Sequence, residues 1–247
     1  MRLKEYKLVN FIIAFFIIFG LWQIMTMLIN KPLFPSPFAI MINIFRTFHE
    51  GIAIHVVYSF KRIILGLLFT LAVGIPVGIL MGYFKKIDII FSPIIYFNYP
   101  IPKIALLPIV MLIFGLGDMT KIVMIFLITF FPVVVNIRDE VKSIPEEVFY
   151  PMYSLGATNF QIIREIVFPG IIKAILTSLR ISIGTAISVL FFTENFGTEY
   201  GLGYFIMDSW MRINYIQMYS GILILSVIGL FFFIIIDVLE GIFCPWR

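Results

Sequence analysis

Charge is scarce in this sequence. Only 13% of its 247 residues are charged and 61% are hydrophobic, whereas a soluble globular chain is about a quarter charged and roughly half apolar. So few charges cannot cover a water-soluble surface, which excludes a soluble enzyme and a DNA-binding module; no nucleic-acid partner is expected. The length suits about six membrane helices of roughly 20 residues each, with no room for a second domain of ordinary size.

Cysteine, histidine and the common catalytic motifs are scarce as well. The single cysteine, Cys244, excludes an internal disulfide and a multi-cysteine metal site. His49 and Glu50 begin like a zinc-binding H-E-x-x-H motif, but Ala53 occupies the position of the second histidine. Neither a phosphate-binding P-loop nor a G-x-S-x-G nucleophile motif occurs. We therefore expect no enzyme activity, no metal and no cofactor in this chain, and no ATP bound to it.

Long uncharged runs take the place of these motifs. Residues 8–30, 63–84 and 213–236 carry no charge, and each can cross a ~30 Å hydrocarbon layer as a helix. Three further segments are apolar but shorter or interrupted. The sequence predicts an all-α integral membrane protein with one transmembrane domain, 1–247, and spans at about 9–29, 63–84, 95–115, 120–138, 174–193 and 214–237.

Lysine and arginine predict the orientation of these spans, because they favour the cytoplasmic side of a membrane. The basic start of the chain resembles a secretory signal, but its apolar run is too long and no A-x-A-like cleavage site follows. We therefore expect a retained first helix. The basic residues are best accommodated with both termini in the cytoplasm, residues 31–62 outside, and the polar segment 139–173 inside.

A glycine ridge marks the second span. Gly74, Gly78 and Gly82 recur every four residues, a spacing that lets another helix approach closely, either within one chain or between two. Pro76, within the ridge, predicts a kink.

A second feature is a helix break in the third span. Asn98, Tyr99, Pro100 and Pro102 would interrupt a helix near the membrane, and irregular backbone at that depth must face protein or water. Glu194, at the end of the fifth span, is either an ordinary interfacial carboxylate or a functional one. Asn98, Tyr99 and Glu194 are candidate contacts along a substrate path; ordinary packing between helices is the alternative.

The inner polar segment predicts a short helix near residues 144–160. Ser143 is suited to cap it, Pro145 to its first turn, and Glu146 follows the serine by three residues. Gly156 is suited to end it, and a second helix is expected at about 159–167, before Pro169. The first helix either lies on the lipid surface or is presented to a cytoplasmic partner. Its apolar stripe consists of Phe149, Met152, Tyr153 and Gly156.

A resemblance to a known family favours the second alternative, a helix presented to a cytoplasmic partner. Gly156, nine further residues and then Ile166-Val-Phe168-Pro169 resemble the cytoplasmic signature loop of permease subunits of binding-protein-dependent ABC importers, which reads E-A-A, three residues, G, nine residues, I-x-L-P. The E-A-A positions depart from that pattern, because Tyr150, Pro151 and Met152 stand there.

The rest of the chain resembles the nitrate/sulfonate/taurine branch of these permeases. The similarity runs through most of the sequence in a consistent order. It is carried by Leu33-Phe-Pro35-Ser-Pro37, Pro100-Ile-Pro102 through Leu106-Leu-Pro108, Phe114-Gly-Leu-Gly117, Leu155-Gly-Ala157, Ser178-Leu-Arg180, Glu194, Gly201-Leu-Gly203-Tyr204 and Pro245-Trp-Arg247.

The resemblance implies a type I ABC importer-like fold that works as a pair of chains in the cell membrane. It implies two ATPase subunits that bind ATP on the inner face, and an extracytoplasmic binding protein that delivers a small solute such as nitrate, a sulfonate, taurine or a vitamin-precursor-like molecule. It also implies that the loop around 144–160 carries the coupling helix. The residues expected to contact the ATPase are Glu146, Phe149, Met152, Tyr153, Gly156, Ile166 and Pro169.

Two other classes remain as alternatives. A secondary transporter or channel without an ATPase would more readily show buried ion-coupling residues or an inverted repeat, and neither is evident. An intramembrane enzyme would need a nucleophile and base or a metal set.

Overall fold

A computed structural model describes residues 2–244, with the side chains of residue 10 and of residues 13–244. The basic side chains at the N-terminus and the terminal Pro245-Trp-Arg247 motif lie outside that description. All regular secondary structure within residues 2–244 is helical. The α-helices are α1 (Arg2–Ile29), α2 (Pro37–Thr47), α3 (Ala53–Tyr83), α4 (Lys85–Asn98), α5 (Leu107–Phe114), α6 (Asp118–Ser143), α7 (Tyr150–Ser154), α8 (Asn159–Ile162), α9 (Phe168–Thr193), α10 (Leu202–Met211) and α11 (Tyr215–Phe243).

Several helical stretches are long and apolar enough to cross a membrane. Within residues 2–244, four single stretches are long and apolar enough, and the pair formed by α4 and residues 103–114 is so when taken together, although the pair is bent by 81°. Residues 13–29 of α1 form a shorter apolar helix. The all-α membrane architecture predicted from composition is thereby confirmed. The four single stretches are Pro37–Tyr83, Asp118–Ser143, Asn159–Thr193 and Tyr215–Phe243.

The glycine ridge packs α3 against α6 of the same chain. A Cβ atom added to Gly78 would lie 2.7 Å from the Cβ of Ile137, and one added to Gly82 would lie 2.5 Å from the Cβ of Val141. Gly74 approaches Val133 in the same way. Because successive glycines meet successive branched residues in the same order, α3 and α6 run parallel, and the chain between them must return along the bundle.

That return is the bent pair. After Asn98 the chain leaves the α-helix at residues 99–102, resumes as a 3₁₀ turn at Lys103–Leu106, and continues as α5. The span predicted at 95–115 is therefore two helical pieces joined by a break, which we call the break (residues 99–102). Pro100 and Pro102 lack the amide hydrogens that a continuous helix would need there. The α-helix α3, by contrast, continues through Pro76.

The segment predicted as a polar loop at 139–173 is largely helical. The helix α6 continues to Ser143, whose hydroxyl donates to the carbonyl oxygen of Glu140. The prediction that Ser143 caps a following helix was therefore wrong. After a 3₁₀ turn and the short helix α7, the chain becomes helical again at Asn159 and runs unbroken to Thr193, through a π-helical turn at Ile163–Val167. That wider turn accommodates Pro169, which does not end the helix as expected.

Candidate functional site

The two ends of the bundle carry different candidate sites. Arg180 on α9 forms ion pairs with Asp237 and Glu240 near the end of α11, whereas the opposite end of α9 meets α3 through Glu194 and Arg62. We call the end with Arg62 and Glu194 the cluster end. The end where α3 and α6 finish is the loop end.

A buried ion pair is the centre of the cluster end. The Nη1 atom of Arg62 lies 2.7 Å from Oε1 of Glu194, and the two side chains are 2% and 0% exposed. The Ser59 hydroxyl donates to the same carboxylate at 2.8 Å. Helices α3 and α9 are thus joined by charges that have almost no contact with solvent, an arrangement that is stable only when the partners satisfy one another.

Residues at the start of α6 complete the group that we call the charge cluster: Arg62, Asp118, Lys121 and Glu194. Arg62 Nη2 lies 2.6 Å from Oδ1 of Asp118, which also accepts a hydrogen bond from exposed Lys61 through Oδ2. The ammonium group of Lys121 is fully buried and donates to the carbonyl oxygens of Leu116 and Phe196. The cluster therefore joins α3, α6 and α9.

The chain after α9 closes over Glu194. The amide of Gly203 donates to Oε2 of Glu194 at 2.8 Å, and a Cβ at Gly201 would lie 2.3 Å from the Glu194 carboxyl carbon. Gly201 also has φ +135°, a conformation that favours glycine. The Gly201-Leu-Gly203 motif thus approaches the buried carboxylate so closely that a side chain at Gly201 would collide with it.

The coupling loop, residues 144–160, lies at the loop end. After Pro145 it forms a 3₁₀ turn at Glu146–Val148 and then α7. The amide of Gly156 donates to the carbonyl oxygen of Tyr153, and the amide of Ala157 to that of Met152. With φ +71° at Gly156, this is a Schellman ending, so Gly156 terminates the short helix.

One face of the coupling loop is anchored to the bundle. Phe149 is half-buried and packs against the group around Ile137, Val141 and Ile171, and its ring stacks with that of Tyr153 at 6.2 Å. The hydroxyl of Tyr83, at the end of α3, donates to the Asn159 side chain at 3.2 Å. These contacts fix the loop against the ends of α3 and α6.

The other face of the coupling loop is open. Leu155 and Phe160 are 82% and 73% exposed, and they border a groove of about 420 Å³ that also contains Gly156 and Arg164. Isolated apolar residues on a surface are ordinary; here two large ones flank a groove on an ordered loop. Leu155 and Phe160 are not among the predicted coupling residues. Of those, Met152 and Ile166 are half-buried, while Glu146, Tyr153 and Pro169 are exposed.

The structure separates the three predicted path residues. Tyr99, in the break, is 52% exposed, and the side chain of Asn98 donates to the Ile94 carbonyl oxygen from a partly open position. Glu194 is instead sealed in the charge cluster and reaches no open surface.

Sequence reasoning missed most of the charge cluster. The sequence places Arg62 in the outer segment 31–62 and Lys121 at the start of the span 120–138, and no motif links them or Asp118 to Glu194. Within residues 2–244 no group of three or more histidine, cysteine or acidic side chains is placed to hold a metal ion.

The chain matches the family model described as "Binding-protein-dependent transport system inner membrane component" over residues 74–245. It is 30% identical to the formylaminopyrimidine transport permease protein ThiX of Halalkalibacterium halodurans, over 99% of this chain and 98% of that protein. It is 32% identical to the taurine transport system permease protein TauC of Escherichia coli, over 78% of this chain and 70% of that protein.

A solved structure shares the fold. A chain of the MetNI methionine ABC transporter, in an inward-facing conformation, matches with a TM-score of 0.69 at 20% identity, covering 76% of this chain and 94% of that one. Family match, relatives and fold agree with the predicted all-α permease architecture. The chain belongs to the family of binding-protein-dependent transport system inner membrane components, as the transmembrane subunit of an ATP-driven importer.

Proposed function

We propose that this chain works as a homodimer bound to two ATPase subunits at the loop end, with the coupling loop as the ATPase contact. The observation that carries the proposal is the pair of exposed apolar side chains, Leu155 and Phe160, beside a groove on a loop whose other face is anchored to the bundle. Because one face of the coupling loop is open and the other is packed on the bundle, a partner that displaces the loop would also displace the helices behind it.

The contacts that anchor the coupling loop would transmit its displacement to the bundle. Phe149 packs on the group that contains Val141 of α6 and Ile171 of α9, so displacement of the coupling loop would move the ends of both helices. Conformational switches of this kind usually depend on packed elements that have two alternative arrangements. ATP would bind and be hydrolysed in the partner subunits, and this chain would supply the moving helices.

Orientation and cargo follow from the same proposal. The loop end would face the cytoplasm, with both termini there and six spans in the membrane. The cluster end would face a binding protein on the outer side. Asn98 and Tyr99 are the proposed cargo contacts, while Glu194 would be reached only if the charge cluster opened. Taurine or another sulfonate, or a pyrimidine-like molecule, fits the relatives' named cargoes, and nitrate fits the branch that the sequence resembles.

The test is co-purification of the ATPase with substitutions on the open face. Leu155→Glu combined with Phe160→Glu should abolish ATPase co-purification, because two charges would enter an apolar contact. Met211→Glu, at a residue 67% exposed near the cluster end, is the matched control and should leave the ATPase bound. If the double variant is folded and retains the ATPase at wild-type yield, the coupling loop is not the contact.

A further inference from the structure

Lys103 lies at the break in the third span. Its ammonium group donates to the carbonyl oxygens of Asn98 and Tyr99, at 2.8 Å for Tyr99. These carbonyls end α4, where the helix leaves acceptors without an intrahelical partner. Lys103 thus bridges the break from its far side, and its ammonium group retains one further N–H.

The ammonium group is half-way through the bundle. It lies 4.8 Å from the ring centroid of Phe131, and Phe131 is in the middle of α6, which runs from Asp118 to Ser143. The flanking side chains Phe97 and Tyr99 are 80% and 52% exposed, so Lys103 is on an open face of this chain. A cation at mid-membrane depth is costly against lipid and is therefore expected to face protein or a water-filled path.

The charges at the break do not cancel. The carboxyl end of α4 carries a partial negative charge, and the amino end of the following helical piece carries a partial positive charge of similar size. These two offset each other and leave the full positive charge of Lys103. Among the described side chains no carboxylate lies within 4.0 Å of Lys103, whereas Asp88, Asp118 and Glu194 each pair with another cation. The break is therefore a site of net positive charge.

We propose that Lys103 contacts a negatively charged group on the cargo, a sulfonate or carboxylate, midway along the path. The proposal rests on the proposed transport function and narrows its cargo to molecules that carry a sulfonate or carboxylate group. An anion would supply the missing counter-charge, and the remaining N–H of Lys103 would donate to it. Breaks in membrane helices at this depth are a recurrent place for such contacts.

The direct test measures the charge at the break without any cargo. Tyr99→Cys in a Cys244→Ala background gives one thiol beside Lys103 in the assembled complex. Its reaction rates are compared for two methanethiosulfonate reagents, one carrying a sulfonate and one carrying a trimethylammonium group. The ratio of the anionic to the cationic rate should fall by about tenfold in Lys103→Gln, since one unit charge a few ångströms away is removed, and should be kept in Lys103→Arg.

A matched control places the thiol elsewhere. Met211→Cys, at the cluster end, should give the same ratio with Lys103 and with Lys103→Gln. An unchanged ratio at Tyr99→Cys overturns the proposal, as does a thiol there that reacts with neither reagent. If Lys103→Gln proves unstable, Lys103→Met removes the same charge with a side chain of similar length, and an unchanged ratio there overturns the proposal equally.

An uptake assay distinguishes failure of this proposal from failure of the proposed transport function. ATP-driven uptake is measured for taurine and for uncharged formylaminopyrimidine, with the binding protein present. Taurine is a zwitterion that carries a sulfonate, so uptake of taurine that falls at least tenfold in Lys103→Gln supports contact with an anionic group on the cargo. Uptake of the uncharged molecule alone, unaffected by Lys103→Gln, overturns that contact and leaves ATP-driven import intact. Absence of uptake that depends on ATP would contradict the proposed function, while the thiol ratio still decides the charge at the break.

Discussion

At the cluster end Arg62 and Glu194 are 2% and 0% exposed and satisfy one another, whereas at the loop end Leu155 and Phe160 are 82% and 73% exposed. The buried ion pair at the first end is completed within the chain, whereas the loop at the second end leaves two large apolar side chains open. The difference separates what holds the helices together from what is available to a partner. Substitutions at the first end should act on the stability of the chain, and those at the second on its assembly.

The largest effect is expected from Arg62→Met. Glu194 would stay buried without its cation, which costs about 3–5 kcal/mol of the free energy of unfolding. Unfolding of the purified chain in detergent measures the loss. The double variant Arg62→Met, Glu194→Met should recover part of it, because no unpaired carboxylate is left buried at position 194, while the Gly203 amide loses its acceptor. A double variant as unstable as Arg62→Met would show that the two charges are not coupled.

The next effect is expected from Gly78→Ala on the α3–α6 seam. The added methyl would lie 2.7 Å from Cβ of Ile137 and 3.0 Å from the carbonyl oxygen of Val134, so the helices must separate, at a cost of about 1–3 kcal/mol. Gly184→Ala in α9 is the matched control, since nothing lies within 4 Å of its added methyl. Equal stability of the two variants would contradict close packing at the seam.

The helical spans could be predicted because they depend on local composition. Uncharged runs predicted α3 and α11, and the prolines at Pro100 and Pro102 predicted the break. The ends of the helices were harder to predict from the sequence. The helix α6 continues through Arg138 to Ser143, because ion pairing at Arg138 makes a charged helical turn tolerable.

The charge cluster could not be predicted because its partners are far apart in the chain. Arg62 and Glu194 are separated by 132 residues, and nothing near either residue indicates the other. The π-helical turn before Pro169 was missed for a related reason, since the packing of Val167 and Ile171 in the core overrides the local tendency of proline to end a helix.

A smaller effect is expected from Gly156→Ala at the loop end. With φ +71° at this position, a Cβ costs about 1–2 kcal/mol, or roughly a five- to thirtyfold loss of ATPase affinity if the loop must keep its shape to dock. Global unfolding should lose at most the same ~1–2 kcal/mol, because the strain lies in the backbone and no neighbour lies within 4 Å of the added methyl. Gly156→Asn should lose less, since asparagine tolerates this conformation. Equal ATPase affinity in all three proteins would show that docking does not need the Schellman ending.

The smallest effect on stability is expected from Lys61→Met, although Lys61 is the neighbour of Arg62, where the largest effect is expected. Lys61 and Arg62 both bind Asp118, at 3.0 Å and 2.6 Å, but the Lys61 side chain is 54% exposed. Water and salt screen the exposed pair, so its loss should cost at most about 1 kcal/mol, and raising the salt concentration should shrink that cost further. The Arg62 variant should keep its full deficit at the same salt concentration, because its pair with Glu194 is out of reach of ions. If Lys61→Met and Arg62→Met lost stability equally, burial would not explain why the Arg62–Glu194 pair matters more than the exposed Lys61–Asp118 pair.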